Sequence, residues 1–135
     1  MVLIDWPNAT TANRDSVYSL GRALVIGGAR LLELDVRELG MALVPTSSNR
    51  VGIAVYDESP GGAGHTRELT SYGREWIDAA RAVLYVDEQH DSRCRRACLD
   101  CILEFSGQHV AAKLDRRGAM ALIDQALVST PGRDL

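Results

Sequence analysis

The sequence lacks any apolar run long enough to cross a membrane. Its opening Met1-Val2-Leu3-Ile4 meets Asp5 and Pro7 within a few residues, whereas a membrane-spanning helix needs about 20 predominantly apolar residues. No signal peptide is visible either. We therefore expect a cytoplasmic, reducing location and no membrane partner.

A strong excess of charge is also missing. The chain has 15 Lys and Arg against 18 Asp and Glu, a formal net charge of −3. This balance excludes a surface devoted throughout to nucleic acid, so a contact with DNA would need a local basic patch. The candidates for that patch are Arg93, Arg95, Arg96, Lys113, Arg116 and Arg117.

Motifs for catalysis are scarce as well. The chain has no Walker lysine motif and no helicase boxes. His65 and Asp57 could approach each other, but no serine or cysteine is placed beside them as a nucleophile. We expect no enzymatic activity. The open alternatives are an iron–sulfur or open-site zinc enzyme and a purely structural protein-interaction subunit.

Cysteines are few, and all three lie within eight residues, as Cys94, Cys98 and Cys101. An odd cluster in a reducing location indicates a metal site more than a disulfide framework. The two-residue gap between Cys98 and Cys101 lets two thiolates bind one tetrahedral zinc ion with bonds of about 2.3 Å. Cys94 would be the third ligand and His90 the leading fourth. Metal affinity would then contribute directly to folding.

Other interpretations of this segment stay open. His109, Asp91 or a water molecule could replace His90 as the fourth ligand. The thiols could instead lie buried along one helix face as small apolar side chains. The spacing also suits the four-iron cluster of radical enzymes. Those enzymes bear the motif near the start of a long α/β barrel, which needs about 200 or more residues, but only 34 residues follow Cys101 here. A redox pair of Cys98 and Cys101 lacks the expected βαβ setting.

A glycine-rich turn, Pro60 to Gly64, separates an expected strand from an expected helix. Backbone N–H groups in such a turn can bind an anion at the helix N-terminus. The predicted anion or nucleic-acid contacts here are Gly61, Gly62, Gly64 and His65. The alternative is that glycine is needed only to turn the chain.

The remaining pattern predicts a small single α+β domain, with long helices packed on a short antiparallel hairpin and a zinc knuckle. Its composition, 46% apolar and 24% charged, is that of an ordinary globular domain. Residues 1–12 would be a tail or edge segment, 13–128 the domain, and 129–135 a C-terminal tail.

Periodicity gives the expected elements. A first helix would run from Asn13 to about Leu34, with Gly27-Gly28 marking a close crossing or a break. Strands at Leu39–Val44 and Val51–Val55 would form the hairpin. A helix capped by Thr66 would run to about Val86, and a last helix would be capped by Asp115 and ended by Pro131-Gly132. The expected buried faces of these two helices comprise Leu69, Tyr72, Trp76, Ile77, Ala80, Val83 and Leu84, and Met120, Leu122, Ile123, Ala126 and Leu127.

The blocks Val55–His65 and Cys94 to Cys101, separated by a long helix, resemble the MZB domain. That domain is the zinc-binding C-terminal domain of mitomycin-repair-type superfamily 2 helicases, and it also occurs in the helicase-partner protein of the DISARM anti-phage system. Gln108 and Leu114-Asp115-Arg116 fit the same pattern. The resemblance covers roughly Asn13 to Ile123. The family usually has four cysteines, and this chain has three.

The resemblance implies a free-standing copy or fragment of a module normally attached to a helicase. It implies a zinc-stabilised accessory role beside a superfamily 2 helicase, a nuclease or another defence or repair subunit. The contacts would be with DNA, with protein, or with both. Arginine's planar guanidinium suits phosphate, which makes the basic patch the expected DNA contact.

Overall fold

The computed structural model describes residues 1–58, 64–85 and 115–129. These ranges contain three strands and four α-helices, with short 3₁₀ turns at Thr11–Asn13 and Val36–Glu38. In chain order the elements are β1 (Val2–Ile4), α1 (Arg14–Leu31), β2 (Leu39–Ser47), β3 (Arg50–Asp57), α2 (His65–Tyr72), α3 (Arg74–Leu84) and α4 (Arg116–Ser129). The predicted α+β class is confirmed. The predicted zinc knuckle lies outside the described residues.

The three strands form an antiparallel sheet in the order β1-β3-β2. The predicted hairpin is confirmed, and both of its strands are longer than expected. Strand β2 continues through Pro45 to Ser47, and β3 begins at Arg50 and ends at Asp57. Pro45 is tolerated there because β2 is an edge strand. On the other side of the sheet Val2 pairs with Val55, so the segment 1–12 contributes an edge strand.

Helix α1 lies at the centre of the fold, between the sheet and helices α3 and α4. A Cβ atom at Gly27 would lie 2.7 Å from the backbone carbon of Ala79 and the nitrogen of Ala80. The α3 backbone therefore crosses α1 at this glycine, which confirms a close crossing at Gly27-Gly28. The helix ends at Leu31, three residues before the predicted Leu34.

The single helix predicted from Thr66 to about Val86 is wrong. Gly73 has φ 57° and ψ −116° and separates α2 from α3. Such a positive φ is accessible to glycine at little cost. The predicted apolar face nevertheless packs inward, with Tyr72 half-buried and the other predicted members buried. The bend lets both helices contact α1, since Leu69 and Trp76 both lie against Gly28.

Helix α4 begins where the sequence predicts. The Asp115 side chain accepts a hydrogen bond from the N–H of Gly118 at 3.1 Å, and its carbonyl accepts one from Ala119 at 3.1 Å. This is the N-cap geometry that satisfies a free amide of the first turn. The predicted Met120 is half-buried and Leu122, Ile123 and Ala126 are buried, with Ala119 added. The predicted end at Pro131-Gly132 lies outside the described residues.

Two tryptophans connect distant parts of this core. The indole N–H of Trp6 donates to the Leu122 carbonyl at 3.0 Å, and that of Trp76 donates to the Leu24 carbonyl at 2.9 Å. Both rings are buried. Each therefore contributes apolar area while its one polar group is satisfied. None of the helices in the described ranges has the length and apolarity that a bilayer crossing requires.

Candidate metal centre and its supporting contacts

The predicted zinc ligands lie outside the described residues. They are Cys94, Cys98, Cys101 and His90, and the predicted contacts Arg93, Arg95, Arg96, Lys113, Gly61 and Gly62 lie outside as well. Three thiolates with one imidazole are a donor set that zinc takes in closed structural sites, so the chemistry of the set fits this ion. Among residues 1–58, 64–85 and 115–129, no group of three or more possible ligands is close enough to hold a metal.

The two ends of the segment that carries these ligands meet inside the protein. Arg116, at the start of α4, is fully buried, and its Nη1 donates to the carbonyl of Leu84 at 2.7 Å. That carbonyl lies in the last turn of α3, where carbonyl groups lack helical partners and favour a cation. Nη1 also lies 3.3 Å from the sulfur of Met120. The end of α3 and the start of α4 thus meet at one point of the core.

The position of Arg116 corrects a sequence-based expectation. Its place in a run of basic residues suggested a phosphate contact at the surface. The structure buries it completely because it lies on the same helix face as Ala119, Ile123 and Ala126, which pack into the core. In this arrangement Arg116 joins two helices and presents no surface to DNA.

Helix α1 also contacts the start of α4, through two serine hydroxyl groups. The backbone N–H of Asp115 donates to the hydroxyl oxygen of Ser19 at 2.6 Å. The Ser16 hydroxyl donates to the Asp115 carboxylate at 3.3 Å. A Cβ atom at Gly118 would collide with that Ser16 hydroxyl, so glycine is what lets α4 approach α1 here. The start of α4 is therefore fixed to both α1 and α3.

Hydrogen bonds also join the end of β3 to the start of α2, on either side of residues 59–63. Gly64 has φ 82°, and a Cβ atom there would meet nothing within 4 Å. Backbone conformation, not crowding, is therefore what requires glycine at this position. The Gly64 N–H donates to one carboxylate oxygen of Asp57 at 3.0 Å, and the Thr66 N–H donates to the other at 3.2 Å. Asp57 thus caps α2. The helix begins at His65, so Thr66 is its second residue and not the predicted cap.

This closure bears on the predicted anion contact. The N-terminus of a helix attracts negative charge through its free amides and its dipole. Here those amides already receive the carboxylate of Asp57, so an external phosphate would have to displace it. His65 is the first residue of α2, and its Nε2 is 4.0 Å from a Glu38 carboxylate oxygen with the imidazole mostly buried.

The model of the MZB family, described as the MrfA Zn-binding domain, matches residues 20–102 of this chain. This chain belongs to the MZB family. The matched range is more than half of the 135 residues and includes all three cysteines. The resemblance inferred from the sequence is therefore confirmed.

A relative supports the same placement. The chain is 28% identical over 120 residues to the Druantia protein DruE of Escherichia coli strain UMEA 4076-1. The similarity covers 84% of this chain and 6% of DruE, so this MZB domain matches a small part of a much longer protein. No solved structure matches this chain.

Sequence reasoning missed two contacts that support the MZB domain. The burial of Arg116 had a visible signal, because residues 116, 119, 123 and 126 fall on one helical face. The capping by Asp57 had no comparable signal. The carboxylate acts from the end of β3 across the glycine-rich turn, and only the fold brings it to the α2 amides.

Proposed function

We propose that this MZB domain is a zinc-stabilised accessory module that works with a DNA helicase or nuclease in anti-phage defence or DNA repair. The observation that carries the proposal is the family match over residues 20–102, which contains the whole cysteine cluster. The chain itself would have no motor and no ATPase activity. Its location would be cytoplasmic.

In this proposal Cys94, Cys98, Cys101 and His90 hold one zinc ion. The ion supplies a tetrahedral cross-link and, with four protein ligands, no open position for catalysis. The described residues provide the support. Arg116 on Leu84 and Asp115 on Ser19 bring the two ends of the ligand-bearing segment together. Closing these ends in advance reduces the chain entropy that metal binding must overcome.

The name of the relative supports a defence role. DruE is a Druantia protein, and the family is described as the Zn-binding domain of MrfA. A domain that corresponds to 6% of such a protein suits an accessory part. The partner we propose is a superfamily 2 helicase or another subunit of a defence or repair system.

The proposed DNA contact is the basic patch without Arg116, which is buried. Arg93, Arg95 and Arg96 surround the first cysteine, and Lys113 precedes α4. Guanidinium groups bind phosphate in a bidentate manner, and binding that releases counterions weakens steeply as salt rises.

A DNA titration tests this contact. Single- and double-stranded DNA would be titrated at two salt concentrations into the wild-type domain and into the double variant Arg95→Ala/Arg96→Ala. Arg37→Ala is the matched control, since Arg37 is an exposed arginine held by Asp35 at 2.8 Å. We expect salt-dependent binding that only the double variant weakens. Absent or salt-independent binding in the wild type would favour a role in protein interaction alone.

A further inference from the structure

The outer edge of β2 is uncharged. In the part of the chain that the structure describes, β2 has one strand neighbour, β3, and its other edge is open. The sequence from Leu39 to Asn49 contains no Asp, Glu, Lys or Arg. Proteins usually protect an open edge with charged side chains, proline or a bulge. Here Pro45 and the irregularity between Pro45 and Ser47 protect only one end of β2.

The register shows which backbone groups point away from β3. The N–H of Glu58 donates to the carbonyl of Glu38 at 3.0 Å. Hydrogen-bonded pairs recur at every second residue of an antiparallel ladder. The residues that bond to β3 are therefore Gly40, Ala42 and Val44. The residues whose N–H and carbonyl groups point outward are Leu39, Met41 and Leu43.

The next residue whose backbone groups point away from β3 is Pro45. A proline there removes a donor that β3 does not use. The Leu39 N–H already donates to the Val36 carbonyl. The open edge therefore offers the carbonyl of Leu39 and complete donor and acceptor sets at Met41 and Leu43, and then stops. A strand that pairs with this edge has a defined length and a defined register.

We propose that the strand that fits this edge is β2 of a second copy of the chain, paired antiparallel about a two-fold axis at Met41. Leu39 of one copy then faces Leu43 of the other, and the two Met41 residues face each other. All three pairs are of the hydrogen-bonded kind, and because the Leu39 N–H of each copy donates to Val36, about four N–H···O bonds would form. The same surface serves both copies, which is the requirement for a closed two-fold interface.

The side chains permit this pairing. The Met41 side chain points toward α1, where its methyl group fills the space beside Gly21. Leu43 packs against the same core. On the opposite face Ala42 is exposed, and it would lie across from Gly40 of the second copy. Glu38 would face Val44, so no like charges oppose each other across the axis.

Analytical ultracentrifugation of the 135-residue chain over a wide concentration range tests the proposal. We expect a reversible monomer–dimer equilibrium in the wild type. Ala42→Lys should raise the dimer dissociation constant by about tenfold or more, because it places two lysines close together at the axis. Ala42→Glu should weaken the dimer in the same way with the opposite charge. Circular dichroism melting checks that both variants remain folded.

Thr46→Lys is the matched control. It adds the same charge at an exposed position of the same strand, but beyond Pro45 and outside the paired residues. We expect its dissociation constant to equal that of the wild type. A wild type that stays monomeric at every concentration overturns the proposal. A dimer that responds equally to Ala42→Lys and Thr46→Lys, or to neither, places the interface elsewhere and overturns it too.

Discussion

The described ranges meet at two places, from residue 57 to residue 64 and from residue 84 to residue 116, and one charged side chain joins each pair of ends. Asp57 closes the first by accepting hydrogen bonds from the amides of Gly64 and Thr66. Arg116 closes the second by donating to the carbonyl of Leu84. In both cases the charge complements a helix end, an anion at the start of α2 and a cation at the end of α3.

The two closures differ in depth. Gly64 is exposed and Asp57 is half-buried, whereas Arg116 is fully buried. The first closure spans a few residues, and the second joins positions 32 residues apart. Because the cost of closing a chain grows only slowly with its length, burial is the larger difference between them. The closure between α3 and α4 is thus buried in the core, and the closure before α2 lies at the surface.

The largest expected effect is at the buried closure. Arg116→Ala removes the hydrogen bond to the Leu84 carbonyl and leaves a cavity, so we expect the free energy of unfolding to fall by about 3 kcal/mol or more. Urea unfolding followed by circular dichroism measures this change. Arg117→Ala is the neighbouring control, since Arg117 is exposed, and it should change stability by about 0.5 kcal/mol or less. Equal losses at both positions would contradict the account.

A smaller effect is expected at the surface closure. Asp57→Ala removes the carboxylate that caps α2, and loss of an N-cap costs about 1 kcal/mol. Thermal melting measures the change. The variant also frees the amides of Gly64 and Thr66, so added phosphate should stabilise it more than it stabilises the wild type. A phosphate effect of the same size in both proteins would show that Asp57 does not occupy this position.

The smallest effect is expected where α3 and α4 meet at the surface. Arg81 binds the carboxylate of Asp124 at 2.9 Å, and both side chains are partly exposed. The hydrogen bond to Asp124 raises the pKa of the Arg81 guanidinium. Exposed pairs contribute about 0–1 kcal/mol and are screened by salt. A double-mutant cycle of Arg81→Ala and Asp124→Ala should give a coupling in that range which falls in high salt. A coupling free energy as large as the stability loss expected for Arg116→Ala would contradict the claim that buried contacts contribute more than surface contacts.

Local patterns predicted the parts of the fold that depend on neighbouring residues. The hairpin, the Asp115 cap and the crossing at Gly27-Gly28 all follow from short-range signals. The break at Gly73 does not, because apolar residues continue at helical spacing on both sides of it, from Leu69 to Trp76. Periodicity alone therefore predicts one helix where the backbone of Gly73 makes two.

The supporting contacts of the candidate site were predictable only in part. Arg116 falls on an apolar helix face, yet its charge and its basic neighbours suggested a surface residue. Its partner, the Leu84 carbonyl, lies 32 residues earlier and becomes adjacent only when α3 and α4 pack on α1. The Asp57 cap likewise depends on where β3 delivers its carboxylate. Contacts set by tertiary packing leave little trace in a single sequence.

The most direct test of the central claim is metal analysis combined with melting in chelator. The account predicts about one zinc and no iron per chain in a colourless preparation, with a melting temperature that falls when a chelator is added. Cys98→Ser should lose the zinc and the stability together, whereas Ser47→Ala, at an exposed position of β2, should keep both. A wild-type protein without zinc, or one whose melting temperature does not change in chelator, would contradict the claim.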